Sequence, residues 1–126
     1  QLRDVLLGQR EPQFDETREE SLLDAGLNAT QQGAVDFALS ARDVALIHGP
    51  PGTGKTTTVV ELIRRAVRRG DKVLACGPSN MAVDNLLSRL LAHGERAVRL
   101  GHPARVARMV EHGITGDHIK GSIREG

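Results

Sequence analysis

Residues 49 to 56 read Gly-Pro-Pro-Gly-Thr-Gly-Lys-Thr, a complete G-x-x-x-x-G-K-T phosphate loop. Gly49, Gly52 and Gly54 open backbone dihedrals that are closed to other residues, so successive N–H groups can turn inward around a chain of phosphates. Lys55 adds a point charge that reaches the β- and γ-phosphates, and the Thr56 hydroxyl is placed to hold a Mg²⁺ bridging the same oxygens. These residue types at this spacing predict a nucleoside triphosphate site, ATP with Mg²⁺. It is built from Gly49, Pro50, Pro51, Gly52, Thr53, Gly54, Lys55, Thr56 and Thr57, with Lys55 and Thr56 as catalytic candidates and Thr56 as the metal ligand. The alternative is a glycine-rich turn with no ligand, and the elements on either side weigh against it.

Those elements can be placed by hydrophobic pattern. Val44, Ala45, Leu46 and Ile47 form an apolar run that reads as a buried strand over residues 44–48, leading directly into the loop. A helix follows from the loop through Val59, Val60, Leu62, Ile63 and Val67 to Gly70, and its N-terminal dipole favours an anion. Glu61 on this helix is expected to face solvent. Residues 72–77 read as a second strand, and Val83, Leu86, Leu87, Leu90 and Leu91 as a helix ending at Gly94, with a short third strand over residues 97–100.

Upstream, Leu2, Val5 and Leu6 suggest a short helix ending at Gly8. Residues 9–26 are polar and acidic, contain Pro12, and read as a connector or exposed surface. Asn28 looks like a helix N-cap with Gln31 three residues on, followed by the stripe Ala34, Val35, Ala38 and Leu39. From Arg105, the residues Val106, Met109 and Val110 suggest a weak helix, and residues 113–126 carry no clear pattern. Strand, helix, strand, helix at these lengths predicts an α/β fold with a parallel sheet and right-handed crossovers.

Composition bounds the partners. Phe14 and Phe37 are the only aromatic residues, so the core rests on Leu, Val, Ile and Ala, and base stacking on aromatic platforms has little to work with. Formal net charge is +1, but residues 1–30 carry 3 Lys+Arg against 7 Asp+Glu, and residues 31–126 carry 14 against 9. Arg64, Arg65, Arg68, Arg69 and Lys72 could face a polyanion, although a solvated helix face is the favoured reading; Arg96, Arg99, Arg105 and Arg108 are further candidates. Cys76 is the single cysteine, which excludes an internal disulfide, fits a reducing compartment and is expected to be buried. The five histidines have no metal-ligand spacing of their own. No stretch approaches the roughly 20 apolar residues of a membrane-spanning helix, so no membrane partner is expected. The start at Gln1 suggests a segment of something longer.

Three segments together carry a family resemblance. Leu-Asn-Ala-Thr-Gln at residues 27–31, the loop and its extension to Glu61, and Gly-Pro-Ser-Asn-Met-Ala-Val-Asp-Asn-Leu at residues 77–86, followed by Arg-Leu-Gly-His-Pro-Ala-Arg at residues 99–105, resemble the superfamily 1B helicases. These are the helicases related to the immunoglobulin mu-binding protein and the nonsense-mediated-decay helicase, and the chain resembles the immunoglobulin mu-binding branch most, over roughly residues 1–110. The resemblance implies a P-loop NTPase with a partial RecA-like parallel sheet and flanking helices over residues 27–112, a connector or approach segment over residues 1–26, and an unassigned tail over residues 113–126. It implies that Gln31 recognises adenine, a role compatible with a capping-box glutamine, and that Thr57 and Thr58 extend the loop. It makes Pro78, Ser79 and Asn80 candidates for contact with the backbone of single-stranded DNA or RNA, helix capping being the alternative.

Such helicases need an acidic pair on a later strand and arginines from a second RecA-like domain. No apolar run in the chain ends in Asp-Glu. In the family's sheet, absent strands lie between the two strands found here. The partner expected first is therefore the missing remainder of the helicase core. The isolated chain is expected not to build the full sheet, and to hydrolyse ATP poorly or not at all. The parent protein is expected to be an ATP-dependent helicase moving 5′ to 3′ in the cytoplasm, or in the nucleus if eukaryotic. Two alternatives stay open: an AAA+ ATPase module, where the same loop is at home but the flanking segments are not, and a truncated nucleotide-binding product without enzymatic activity.

Overall fold

The computed structural model describes residues 1–16, 23–101 and 119–121. It divides into two compact units, Gln1–Val73 and Leu74–Gly126.

In the first unit a short helix α1 (Leu2–Leu6) opens the chain, and α2 (Ala29–Ser40) and α3 (Lys55–Arg68) pack on each other. The start of α2 follows from a capping box. The Asn28 side chain accepts from the Gln31 N–H (2.9 Å), and the Gln31 side chain accepts from the Asn28 N–H (3.0 Å), which satisfies two donors that a helix N-terminus leaves over. Behind it sits a small core of Leu27, Val35 and Val60, each under 5% exposed. Full burial of such a side chain is worth about 1.5–3 kcal/mol, so this core is modest.

The inner face of α3 is polar rather than apolar. Thr58, Glu61, Arg64 and Arg65 are buried beside Val60, whereas Val59 and Val67 are exposed. Glu61 therefore does not face solvent, and Arg64 and Arg65 belong neither to a solvated face nor to a polyanion surface. Arg65 is 2% exposed and pairs with Asp36 of α2 at 2.8 Å, and Arg69 donates to the Leu39 carbonyl at 3.1 Å. Arginine suits this position because its planar fork keeps its charge when buried and is met by fixed oxygens.

The polar connector is tied to the end of α2. Asp15 N–H donates to the Ser40 carbonyl (2.7 Å), Arg42 N–H to the Gln13 carbonyl (2.9 Å), and Arg10 pairs with Asp43 (3.0 Å). Phe14 stacks on Phe37 with ring centroids 4.9 Å apart. The Arg42 guanidinium is raised above its ordinary pKa, first by its hydrogen bond to Asp15 and then by that carboxylate's charge.

Residues 44–48 form no ladder with any described segment, contrary to the strand expected there; Leu46 is 87% and Ile47 41% exposed. Residues 72–77 likewise form no strand, Leu74 is 79% exposed, and Cys76 is exposed rather than buried. The physical reason is common to all three corrections. A continuous apolar run is stable as a strand only with hydrogen-bonded neighbours and covered faces, and the described residues supply neither.

In the second unit α4 (Asn80–Ala92) buries Leu87 and Leu90, and β1 (Arg99–Gly101) pairs in parallel with β2 (Ile119–Gly121). The strand expected over residues 97–100 is thus shifted by two residues at its start and one at its end. The weak helix expected from Arg105 lies outside the described residues, as do Arg105 and Arg108 themselves. Among the described residues, no helix is long and apolar enough to cross a membrane.

Candidate functional site

The loop is held by its own backbone. Gly52 and Gly54 take φ of 82° and 76°, a left-handed conformation that other L-residues rarely adopt. The Thr53 hydroxyl donates to the Pro50 carbonyl (2.7 Å) and closes the turn. Gly54 is the N-cap of α3 and offers no side chain to its first N–H groups, so the helix start is left available to an anion along the dipole.

Lys55 and Thr56 stand exposed on the first turn of α3. Lys55 folds back over the loop. A Cβ at Gly49 would lie 3.0 Å from the Lys55 Cγ and 2.8 Å from the Thr53 Oγ1, so the absence of a side chain there is what lets lysine and loop close on each other. Thr58 does not line this mouth. Its hydroxyl turns back to the Gly54 carbonyl (3.1 Å), and the residue is buried; Thr57 is half-buried.

Gln31 joins the loop from α2. Its Nε2 donates to the Thr53 carbonyl (3.1 Å), while its Oε1 is occupied by the Asn28 N–H. A Cβ on Gly54 would collide with that Nε2, so Gly54 serves both the left-handed turn and the approach of Gln31. The capping role and the loop contact coexist in one amide, which still has one N–H and one lone pair to spare.

This arrangement fits a triphosphate with a divalent ion. The donor set is one of backbone N–H groups, one lysine and one hydroxyl, matched to phosphate oxygens rather than to a caged metal. Among the described residues, no group of three or more His, Cys, Asp or Glu could hold a metal ion.

Pro78, Ser79 and Asn80 lie in the second unit, where residues 74–80 line an open groove of about 360 Å³ with Val83, Arg99 and Leu100. Ser79 is the N-cap of α4 and accepts from the Ala82 N–H (3.2 Å), so it does act as a cap. Arg99 donates to Asp84 Oδ1 and to Asn80 Oδ1, each at 3.0 Å. Arg99 is therefore turned onto α4 and is not a free polyanion contact. Because a guanidinium only donates, the Asn80 oxygen faces it and the Asn80 NH₂ is left for another acceptor.

Sequence reasoning missed the partner of Glu61. Its two oxygens accept from the Leu23 N–H (2.8 Å) and the Asp24 N–H (3.1 Å), 38 and 37 residues away in the chain. No side-chain pattern marks such a bond, since every non-proline residue carries the same donor.

The AAA domain family matches residues 26–124. The chain is 53% identical over 112 residues to the DNA-binding protein SMUBP-2 of Mus musculus, covering 88% of this chain and 11% of that protein. It is 48% identical over 104 residues to the DNA polymerase alpha-associated DNA helicase A of Schizosaccharomyces pombe, covering 75% of this chain and 16% of that protein. With the ATP-dependent helicase NAM7 of Saccharomyces cerevisiae it shares 37% identity over 107 residues, covering 79% of this chain and 11% of that protein. The chain thus spans between 11% and 16% of the length of these relatives. By its phosphate loop, its flanking segments and these matches, the chain belongs to the AAA domain family of P-loop NTPases, among the superfamily 1 helicases related to the immunoglobulin mu-binding protein and the nonsense-mediated-decay helicases.

Proposed function

We propose that this chain is the ATP-binding part of an ATP-dependent nucleic-acid helicase that moves 5′ to 3′ along single-stranded DNA or RNA. The observation that carries the reading is the loop itself: two left-handed glycines, an uncapped start of α3, Lys55 closed over Gly49, and Gln31 bonded to the Thr53 carbonyl.

In this reading the N–H groups of residues 52–57 surround the phosphates, Lys55 reaches the β- and γ-oxygens, and the Thr56 hydroxyl holds the metal. Mg²⁺, when bound, neutralises charge on those oxygens. The spare N–H and lone pair of Gln31 read the adenine edge. The Asn80 NH₂, with Ser79 and Pro78 beside it, meets the sugar-phosphate backbone.

The exposed apolar residues Leu46, Ile47 and Val59 belong, on this account, to a RecA-like sheet completed by strands of the helicase core. That remainder would also supply the acidic pair and the arginines for hydrolysis, so this chain alone binds ATP without sustained turnover. ATP binding and release would then close and reopen two such domains and shift the strand. A reducing compartment, cytoplasm or nucleus, suits the exposed Cys76.

Calorimetric titration of the chain with Mg²⁺ and ATP, beside Lys55→Ala, tests the site. Removing a charge-assisted contact should weaken binding roughly 10- to 150-fold. Unchanged affinity would refute the assignment.

A further inference from the structure

Glu61 lies nearly two turns along α3 from Lys55 and is 1% exposed. A carboxylate so deeply buried is costly unless hydrogen bonds meet its charge. The backbone N–H groups of Leu23 and Asp24 do so, one on each oxygen.

What Glu61 grips is the beginning of a continuous bonded segment. Asp24 accepts from the Gly26 N–H on its side chain (2.8 Å), and its carbonyl accepts from the Leu27 N–H (3.5 Å). Leu27 is buried in the core, and its carbonyl accepts from Gln32 Nε2 (3.0 Å). The Asn28–Gln31 box follows, and Gln31 reaches the Thr53 carbonyl. Residues 23–31 are thus pinned to the loop-and-α3 unit at both ends, by Glu61 behind and by Thr53 in front.

We propose that Glu61 is a positioning residue for base recognition: by fixing where residues 23–31 sit on α3, it sets where the Gln31 amide stands above the phosphate loop. The proposal rests on the reading of Gln31 as the adenine contact. Glu61 itself is enclosed and does not touch the nucleotide. The turn that binds phosphate closes through Thr53–Pro50 and Thr58–Gly54 bonds that do not involve Glu61. Phosphate binding and base selection are therefore separable, and only the second runs through Glu61. Hydrogen bonds weaken steeply when their angle or length is lost, so a small displacement of residues 23–31 is enough to blunt the choice of base.

Glu61→Gln keeps the shape and volume but presents an NH₂ where an acceptor is required. The affinities of the 126-residue chain for ATP, GTP and inorganic pyrophosphate, each with Mg²⁺, are to be measured by calorimetry for Glu61→Gln, Gln31→Ala and the double variant. Glu61→Gln should lower the preference for ATP over GTP about tenfold, with pyrophosphate affinity changed by no more than about twofold. The double variant should discriminate no worse than Gln31→Ala alone. Retained preference in Glu61→Gln, with preference lost in Gln31→Ala, would overturn the proposal and leave the Gln31 reading standing. Pyrophosphate affinity falling as far as that for ATP would make Glu61 a general support of the fold and also overturn it. Unchanged preference in Gln31→Ala would overturn the reading of Gln31 and the proposal with it.

Discussion

Gly54→Ala sets two costs at one atom. Gly54 has φ of 76°, where an L-residue is disfavoured by about 1–2 kcal/mol. The added methyl also takes the place of Gln31 Nε2, so the Gln31–Thr53 bond is lost, at about 1 kcal/mol. The loop is at the surface and relaxes unless a ligand demands its present shape, so the sum appears as weakened binding: about 2–3 kcal/mol, or roughly 30- to 150-fold. Gly52→Ala provides the reference, because Gly52 has φ of 82° but open space where a Cβ would lie. It should carry only the first cost, roughly 5- to 30-fold. The assay is calorimetric titration with Mg²⁺ and ADP. In a Gln31→Ala background the extra loss at Gly54 should disappear, since the group it collides with is gone. Gly54→Ala binding within about twofold of the unsubstituted chain would refute the left-handed loop as the binding geometry. Equal losses at Gly52 and Gly54 would refute the Gln31 contact.

Two further outcomes are expected. Asp36→Ala removes the carboxylate that meets buried Arg65 and should destabilise the chain by about 3 kcal/mol in urea unfolding, whereas Asp36→Leu combined with Arg65→Met should cost far less; equal losses would refute the ion-pair account. Arg99→Ala releases the Asn80 amide and should weaken single-strand binding roughly tenfold, as Asn80→Ala does, with the double variant no worse than either. Fluorescence anisotropy with a labelled oligonucleotide at fixed salt reads this, and additive losses would show that the two residues act separately.

Local conformation was legible in the sequence and tertiary context was not. The glycine turn of the loop and the Asn28–Gln31 box are each decided within a few residues, so residue type and spacing were sufficient to place them, whereas at Ser79 they left capping and nucleic-acid contact both open and the structure shows the cap. The helices of residues 29–40, 55–68 and 80–92 follow from their apolar spacing in the same way. The strands of residues 44–48 and 72–77 failed because a strand depends on neighbours that no local pattern guarantees. The inward turn of Glu61, Arg64 and Arg65 was hidden for a related reason. These are polar types that ordinarily face water, and what permits their burial is a distant backbone donor for Glu61 and, for Arg65, a carboxylate on another helix. Nothing beside Arg99 in the sequence distinguishes it from a polyanion contact, because its partners, Asp84 and Asn80, lie on a helix that folds back beside it.

The most direct test of the account is a two-dimensional amide NMR titration of the ¹⁵N-labelled chain with Mg²⁺ and ATP. The account predicts saturable shifts confined mainly to the backbone N–H groups of Gly49 and residues 52–57 and to the Gln31 side-chain amide, and a titration displaced to roughly 10- to 150-fold higher ATP in Lys55→Ala. Saturable shifts centred elsewhere, or none at all, would contradict the claim that this loop is a nucleotide site.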